Sequence, residues 1–225
     1  MKKFYTLLAL ALISGSVMAQ SNDGVKFGLR GGVNLATIAY SGSNIPNEMK
    51  DATKFTTSYY FGGFADIPVS EIFSLQPGLT LSGKGGKVEY SQTGLGGSGS
   101  VMSKTSLMYI EVPINAVFNF SGFYIGAGPY VGYGIAGKAN IETKFNGVIV
   151  PALTQPERDV KFGSGSDDDF KPFDFGANIL AGYRLESGLS FGANYGLGLA
   201  NIDAEGNNDY KASNRVFSVL VGFSF

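Results

Sequence analysis

The sequence predicts an all-β protein, an eight-stranded antiparallel up-and-down transmembrane β-barrel. Three observations carry this reading. Apolar residues recur with period two rather than 3.6 along most of the chain. The connections between these segments alternate short and long, the rhythm of consecutive hairpins. The composition suits lipid better than water: 33 Gly, 18 Phe and 12 Tyr, with charged residues at only 16% against about 25% in soluble domains.

The first residues read as an export signal. In "MKKFYTLLALALISGSVMAQ", Lys2 and Lys3 form a basic start, Leu7 to Ile13 a short apolar core, and Val17-Met18-Ala19 a small-residue cleavage site. The apolar core is too short to span a bilayer. Residues 1–19 are therefore expected to be a cleaved signal peptide, and residues 20–225 a single barrel domain. The chain has no cysteine, so no disulfide can brace the exported protein.

The predicted strands follow in order. "FGLRGGVNLA" (27–36) is the first and "YYFGGFAD" (59–66) the second; Phe64 falls on the polar file of the latter and leaves its phase open. "FSLQPGLTLSGK" (73–84) and "LMYIEVPINAVF" (107–118) come next, then "FYIGAGPYVGYGIAG" (123–137) and "FDFGANILAGYRL" (173–185). "LSFGANYGLGLA" (189–200) alternates most clearly, with Leu189, Phe191, Ala193, Tyr195, Leu197 and Leu199 on one face. "VFSVLVGFSF" (216–225) closes the set, pairing back to the first strand. Pro77, Pro113 and Pro129 lie inside strands, and each predicts a bulge or local break because proline donates no ladder hydrogen bond. Short turns are expected at 67–71, 119–122 and 185–188, and long polar loops at about 37–57, 91–104, 138–171 and 202–213.

An alternating barrel can face either way. A soluble lipocalin-like carrier would turn its apolar file inward, whereas a membrane barrel turns it to lipid. The other file here is Gly, Ala, Ser and Asn with isolated charges, which suits a crowded narrow bore and would make a poor water-facing exterior. Aromatic residues also gather near the strand ends: Phe27, Phe73, Phe118, Phe123, Tyr183 and Phe191 near the short turns, and Tyr59, Tyr133 and Phe173 near the long loops. Two such girdles mark the two membrane interfaces.

On the segments "FGLRGGVNLA", "LQPGLTLSGKGGK", "YIEVPINAVF", "FYIGAGPYVGYGIAG" and "DFGANILAGYRLESGLSFGANYGLGLANI", the chain resembles the PorT-like outer-membrane β-barrel domain family, porin-like small outer-membrane proteins of Gram-negative bacteria. The resemblance implies an integral barrel in the bacterial outer membrane. It also implies that Phe225 resembles the terminal signal read by the barrel-assembly machinery. One branch of the family assists secretion and gliding, and nothing in the sequence singles out that branch.

The absence of histidine removes a Ser-His-Asp triad and His-ligated metal sites, and no enzyme activity, cofactor or metal is expected. The near-neutral charge gives no sign of nucleic acid. Arg30, Gln76, Glu111, Asn178 and Asn194 are all expected to face inward at mid-height, counted from the short turns. A charge in a narrow bore needs a partner, so Arg30 and Glu111 are expected to pair in a polar plug. Asp174 and Lys84 lie toward the long-loop end, and Arg184 and Asp66 toward the short-turn end. The expected function is a structural or surface-interaction barrel with a plugged lumen and four long exposed loops; a small-solute or ion pore and a secretion-associated outer-membrane factor are the alternatives. The acidic stretch "SDDDF" (166–170) reads as a solvated loop, with calcium binding the alternative. The expected partners are outer-membrane lipid, the assembly machinery and an unspecified surface ligand of the loops; the oligomeric state is left open.

Overall fold

The computed structural model describes residues 24–43, 52–94, 97–206 and 209–225. The expected signal peptide lies outside the described residues, as do parts of the loops expected at 37–57, 91–104 and 202–213. Eight long strands build the wall: β1 (Lys26–Ser41), β2 (Thr56–Pro68), β3 (Phe73–Gly94), β4 (Gly97–Phe120), β5 (Phe123–Phe145), β6 (Phe173–Arg184), β7 (Leu189–Gly198) and β8 (Lys211–Ser224). Each pairs antiparallel with its sequence neighbour, and β1 pairs with β8 from Gly28↔Ser224 to Ser41↔Lys211, which closes the ring. Phe27 and Phe225 extend the seam by exchanging backbone hydrogen bonds of 3.2 and 2.8 Å. In lipid a free sheet edge would leave backbone groups unpaired, and closure removes that edge.

The two files of each strand sort as the alternation predicts. Large apolar side chains stand on the outside, with Ile179 58% and Val219 57% exposed. A soluble carrier would bury such residues, so the lipocalin-like alternative has the wall inside out. Cross-strand aromatic pairs mark both rims of the apolar band. Phe73–Phe118 (5.1 Å between ring centres) and Phe123–Tyr183 (4.7 Å) lie near the short turns, and Tyr133–Phe173 (5.2 Å) lies toward the opposite end. The pairing of β3 with β4 skips Gly78–Leu79 opposite Val112–Pro113, the local break that Pro77 and Pro113 imply.

Strand length departs from expectation. β3, β4 and β5 run for 22, 24 and 23 residues, about twice the 9–11 needed to cross a bilayer. Within the stretch 91–104, expected as a loop, residues 91–94 and 97–104 are instead the outer arms of β3 and β4, paired from Tyr90↔Val101 to Gly94↔Gly97. Likewise 138–145 continues β5, and the pieces Val148–Ile149 and Gln155–Asp159 fold back onto it. Thr53–Lys54, inside the expected loop 37–57, pairs with β3. Beyond the membrane both faces of a strand meet water. The apolar-polar alternation that signals a strand then vanishes, leaving Ser, Gly, Thr and Lys.

Candidate functional site

The bore is filled in layers. Nearest the short turns, Arg184 Nη1 donates to Asp66 Oδ2 at 3.0 Å. Above them Arg30 Nη2 donates to Gln76 Oε1 at 2.7 Å, and its guanidinium carbon lies 3.9 Å from the centre of the Phe64 ring. Phe64 therefore faces inward. Its ring fills the space beside Gly28, where a Cβ would come within 2.4 Å of it. Farther up, Asn34 Nδ2 donates to Ser82 Oγ (3.2 Å) and to the Gly83 carbonyl (2.9 Å), while Ser218 Oγ donates to Asn34 Oδ1 (2.7 Å).

A cavity of ≈ 30 Å³ lies among these groups, room for about two waters. Arg30, Glu111, Asn178 and Asn194 all line it. Gln76 lines a second, of ≈ 10 Å³, below. The five residues expected in the bore thus surround one short stretch of it, but the expected Arg30–Glu111 pair does not form. Glu111 contacts Lys84 Nζ, which also donates to Asp174 Oδ2 at 2.8 Å. The reason is strand tilt. Arg30, Gly62, Thr80 and Glu111 are successive partners across β1 to β4. A row perpendicular to strands tilted by about 40° climbs the barrel, rising ~9 Å over three strand spacings of ~4.8 Å. Equal counts from the turns are not equal heights.

The Lys84 layer is closely tied. Asn214 Nδ2 and Tyr130 OH donate to Asp174 Oδ2 at 3.0 and 3.3 Å, and Lys84 Nζ lies 4.2 Å from the Tyr130 ring centre. All three ionic side chains are buried. Lys84 and Asp174 fall at the same end in the sequence reading; Tyr130 and Asn214 carried no signal there.

Above this layer the mouth is closed by apolar side chains. Ile38, Leu107, Tyr109, Val160, Ile202 and Ala212 form a buried cluster, and Phe162 and Phe170 pack on it. The segment 160–172, from the β5–β6 connection, turns into the mouth to supply its part. Val160 N donates to Gly137 O (2.9 Å), Gly134 N to Pro172 O (2.7 Å) and Lys171 N to Ile202 O (2.7 Å). The Phe162 ring meets Tyr109 edge-on at 5.9 Å. It can do so because residue 134 is glycine: a Cβ there would come within 2.3 Å of the ring.

A two-toothed ion pair fastens this segment. Arg158 donates to both Asp169 oxygens, at 2.7 and 2.8 Å. These bonds hold the Asp169 carboxyl below the ordinary carboxylate range. Asp168 accepts from Gly165 N at 2.8 Å. In "SDDDF", Asp168 and Asp169 are thus bound within their own loop, and among the described residues no cluster of acidic side chains is arranged to hold a metal.

Residues 18–204 match the family model for the outer membrane protein beta-barrel domain. The chain belongs to this family. It is a bacterial outer-membrane protein, and the closed eight-stranded ring is its barrel. Among solved structures it is similar to Ail, the attachment invasion locus protein of Yersinia pestis (9% identity, 89% of this chain and 98% of that one, TM-score 0.39). It is also similar to Neisserial surface protein A (12%, 88% and 97%, 0.42) and to OprG of Pseudomonas aeruginosa (14%, 89% and 95%, 0.31). No curated protein matches the sequence.

Proposed function

We propose that this barrel is a closed, non-conducting scaffold that displays the outer arms of β3–β5 as an interaction surface. The observation that carries the reading is the filled bore. Arg30, Gln76, Glu111, Asn178 and Asn194 act as a polar plug, with the Lys84 layer and the apolar mouth stacked above it. An eight-stranded wall leaves space for side chains and little else. The outer arms carry Tyr90, Val101, Phe145 and Leu153 around an open groove of ≈ 530 Å³, and exposed arms on a rigid wall are where binding resides.

Single-channel recording in planar bilayers tests the closed bore. The wild-type barrel is expected to give no steady current steps, and steady current enlarged by Glu111→Ala would overturn the plug. Shortening the arms between 88 and 103 tests the display role. Adhesion of expressing cells should fall while outer-membrane permeability stays unchanged; unchanged adhesion with altered permeability would favour a small-solute or ion pore. Two narrower readings rest on the sequence resemblance: membership of the PorT-like family, and recognition of Phe225, 70% exposed at the seam, by the assembly machinery; a secretion-associated role is an alternative that no residue singles out. With no histidine in the chain, the reading assigns no catalytic step.

A further inference from the structure

On the outward face of the β3–β5 arms, three lysines stand side by side. Lys54 is the direct partner of Lys87, and Lys87 the direct partner of Lys104. Directly opposed residues point to the same face of a sheet, about 5 Å apart, and like charges so placed destabilise the pairing. Among the described residues none of the three forms an ion pair with an acid. Asn140 continues the row on β5. One outward position nearer the membrane, Ser106 faces Lys138, which is already paired with Glu157 at 2.6 Å. One position farther out are Glu89, Met102 and Glu142, and Glu142 is taken by Lys144 at 2.8 Å.

The height of the row decides what it meets. On β4 the outward apolar positions run from Phe118 through Ile114, Val112 and Ile110 to Met108. Ten residues at ~3.3 Å span ~33 Å of strand, or ~25 Å of height at a tilt of about 40°, the thickness of an outer-membrane apolar band. Lys104 lies two outward positions beyond Met108, ~10 Å above the band by the same geometry. A lysine stem reaches several ångströms along the wall while its ammonium stays wet. Of the row, Lys104 also lines an open groove of ≈ 630 Å³ together with Tyr59, Ser106, Met108 and Ile135, and with Glu157 and Asp159. The groove offers apolar contact next to Lys104.

We propose that Lys54, Lys87 and Lys104 hold the phosphate-bearing headgroup of an outer-leaflet lipid against the foot of the β3–β5 arms. Charge complementarity favours an anion, because one would relieve the repulsion between three opposed ammoniums. The position just above the apolar band, with a part-apolar groove next to Lys104, favours an anion carried on a lipid.

Native mass spectrometry of the full-length barrel released from a neutral detergent tests this, with diphosphoryl lipid A as probe and the same lipid dephosphorylated as its control. The wild-type barrel should retain the phosphorylated lipid and lose the dephosphorylated one. Each lysine near an anionic lipid surface strengthens binding about fivefold, so the triple variant K54Q/K87Q/K104Q should bind about a hundredfold more weakly. Heat-modifiable gel mobility checks that the variant is folded; if it is not, Lys87→Gln alone should still cost about fivefold. Equal retention of the two lipids by the wild-type barrel would overturn the proposal, as would unchanged binding by a folded variant. Displacement of the lipid by inorganic pyrophosphate would assign the row to free phosphate, and displacement by heparin to an extended polyanion; either result would also overturn it.

Discussion

The guanidinium carbon of Arg30 lies 3.9 Å from the centre of the Phe64 ring, inside the bore. An aromatic face is one of few partners that can meet a buried cation without adding a charge. Gln76 supplies the hydrogen bond that the ring cannot. The cation and the ring are one packed unit, and Gly28 leaves the room for it.

Phe64→Ala should therefore lower stability by about 3 kcal/mol, the usual cost of emptying a packed aromatic site, with the lost cation–ring contact part of that sum. Gly28→Ala should also destabilise, because its Cβ meets the ring. In the double variant Gly28→Ala/Phe64→Leu the two losses should sum to more than the observed loss. Urea unfolding in lipid vesicles measures all three, and strict additivity would separate the two positions.

The Lys84 layer gives a second expectation. Lys84→Met leaves Glu111 and Asp174 buried without their cation, a change that costs about 3–5 kcal/mol. Adding Glu111→Gln and Asp174→Asn should recover most of that loss. The same unfolding assay reads the recovery, and a triple variant as weak as Lys84→Met would refute the charge-balance explanation.

At the mouth, Gly134→Val should drive Phe162 from its seat over Tyr109. Chymotrypsin should then cut at Phe162 and Phe170 about tenfold faster than in the wild type, since proteolysis follows the population of the open segment. The barrel wall should remain resistant.

The Arg158–Asp169 clasp has a pH dependence of defined sign. The folded Asp169 carboxyl lies below its unfolded value, so the clasp is fully present above the unfolded pKa of about 3.9. It is lost as pH falls through the lower, folded value. Asp203, paired through the backbone with Phe170, is pushed upward by burial, so its protonation on acidification works in the opposite sense. Hydrogen exchange of the 158–170 amides, corrected for the intrinsic rate at each pH, should show protection lost at low pH in the wild type, and Asp169→Asn should show equally low protection at neutral pH. A variant that keeps the wild-type pH profile would exclude the clasp as its cause.

Removing Phe225 takes away both backbone hydrogen bonds with Phe27. Membrane assembly in cells should fall, scored by heat-modifiable mobility. Refolding into vesicles should fall less, because the remaining seam from Gly28↔Ser224 onward is intact.

Where the wall meets lipid on one side and a crowded bore on the other, the sequence is easy to read. Leu189 to Gly198 shows every face correctly, because two solvents impose two chemistries. The arms were hidden for the opposite reason: residues 87–94 and 97–104 have water on both sides, so strand and loop share a composition there. The inward phase of Phe64 is obscured because a cation in the bore recruits an aromatic side chain that otherwise signals lipid. Tilt concealed that Glu111 turns to Lys84 rather than Arg30. Phe162 and Val160 enter the mouth from a connection whose own residues show no periodicity.

The arms of β3 and β4 are the same strands that form the wall, paired without a hinge from the membrane to the Gly94↔Gly97 pair except at the break beside Pro77 and Pro113. A ligand pulling outward on the tip would load many inter-strand hydrogen bonds along the strand direction at once, instead of peeling them apart singly. If the arms bind a surface partner as proposed, tension on it would be borne by the wall as a whole.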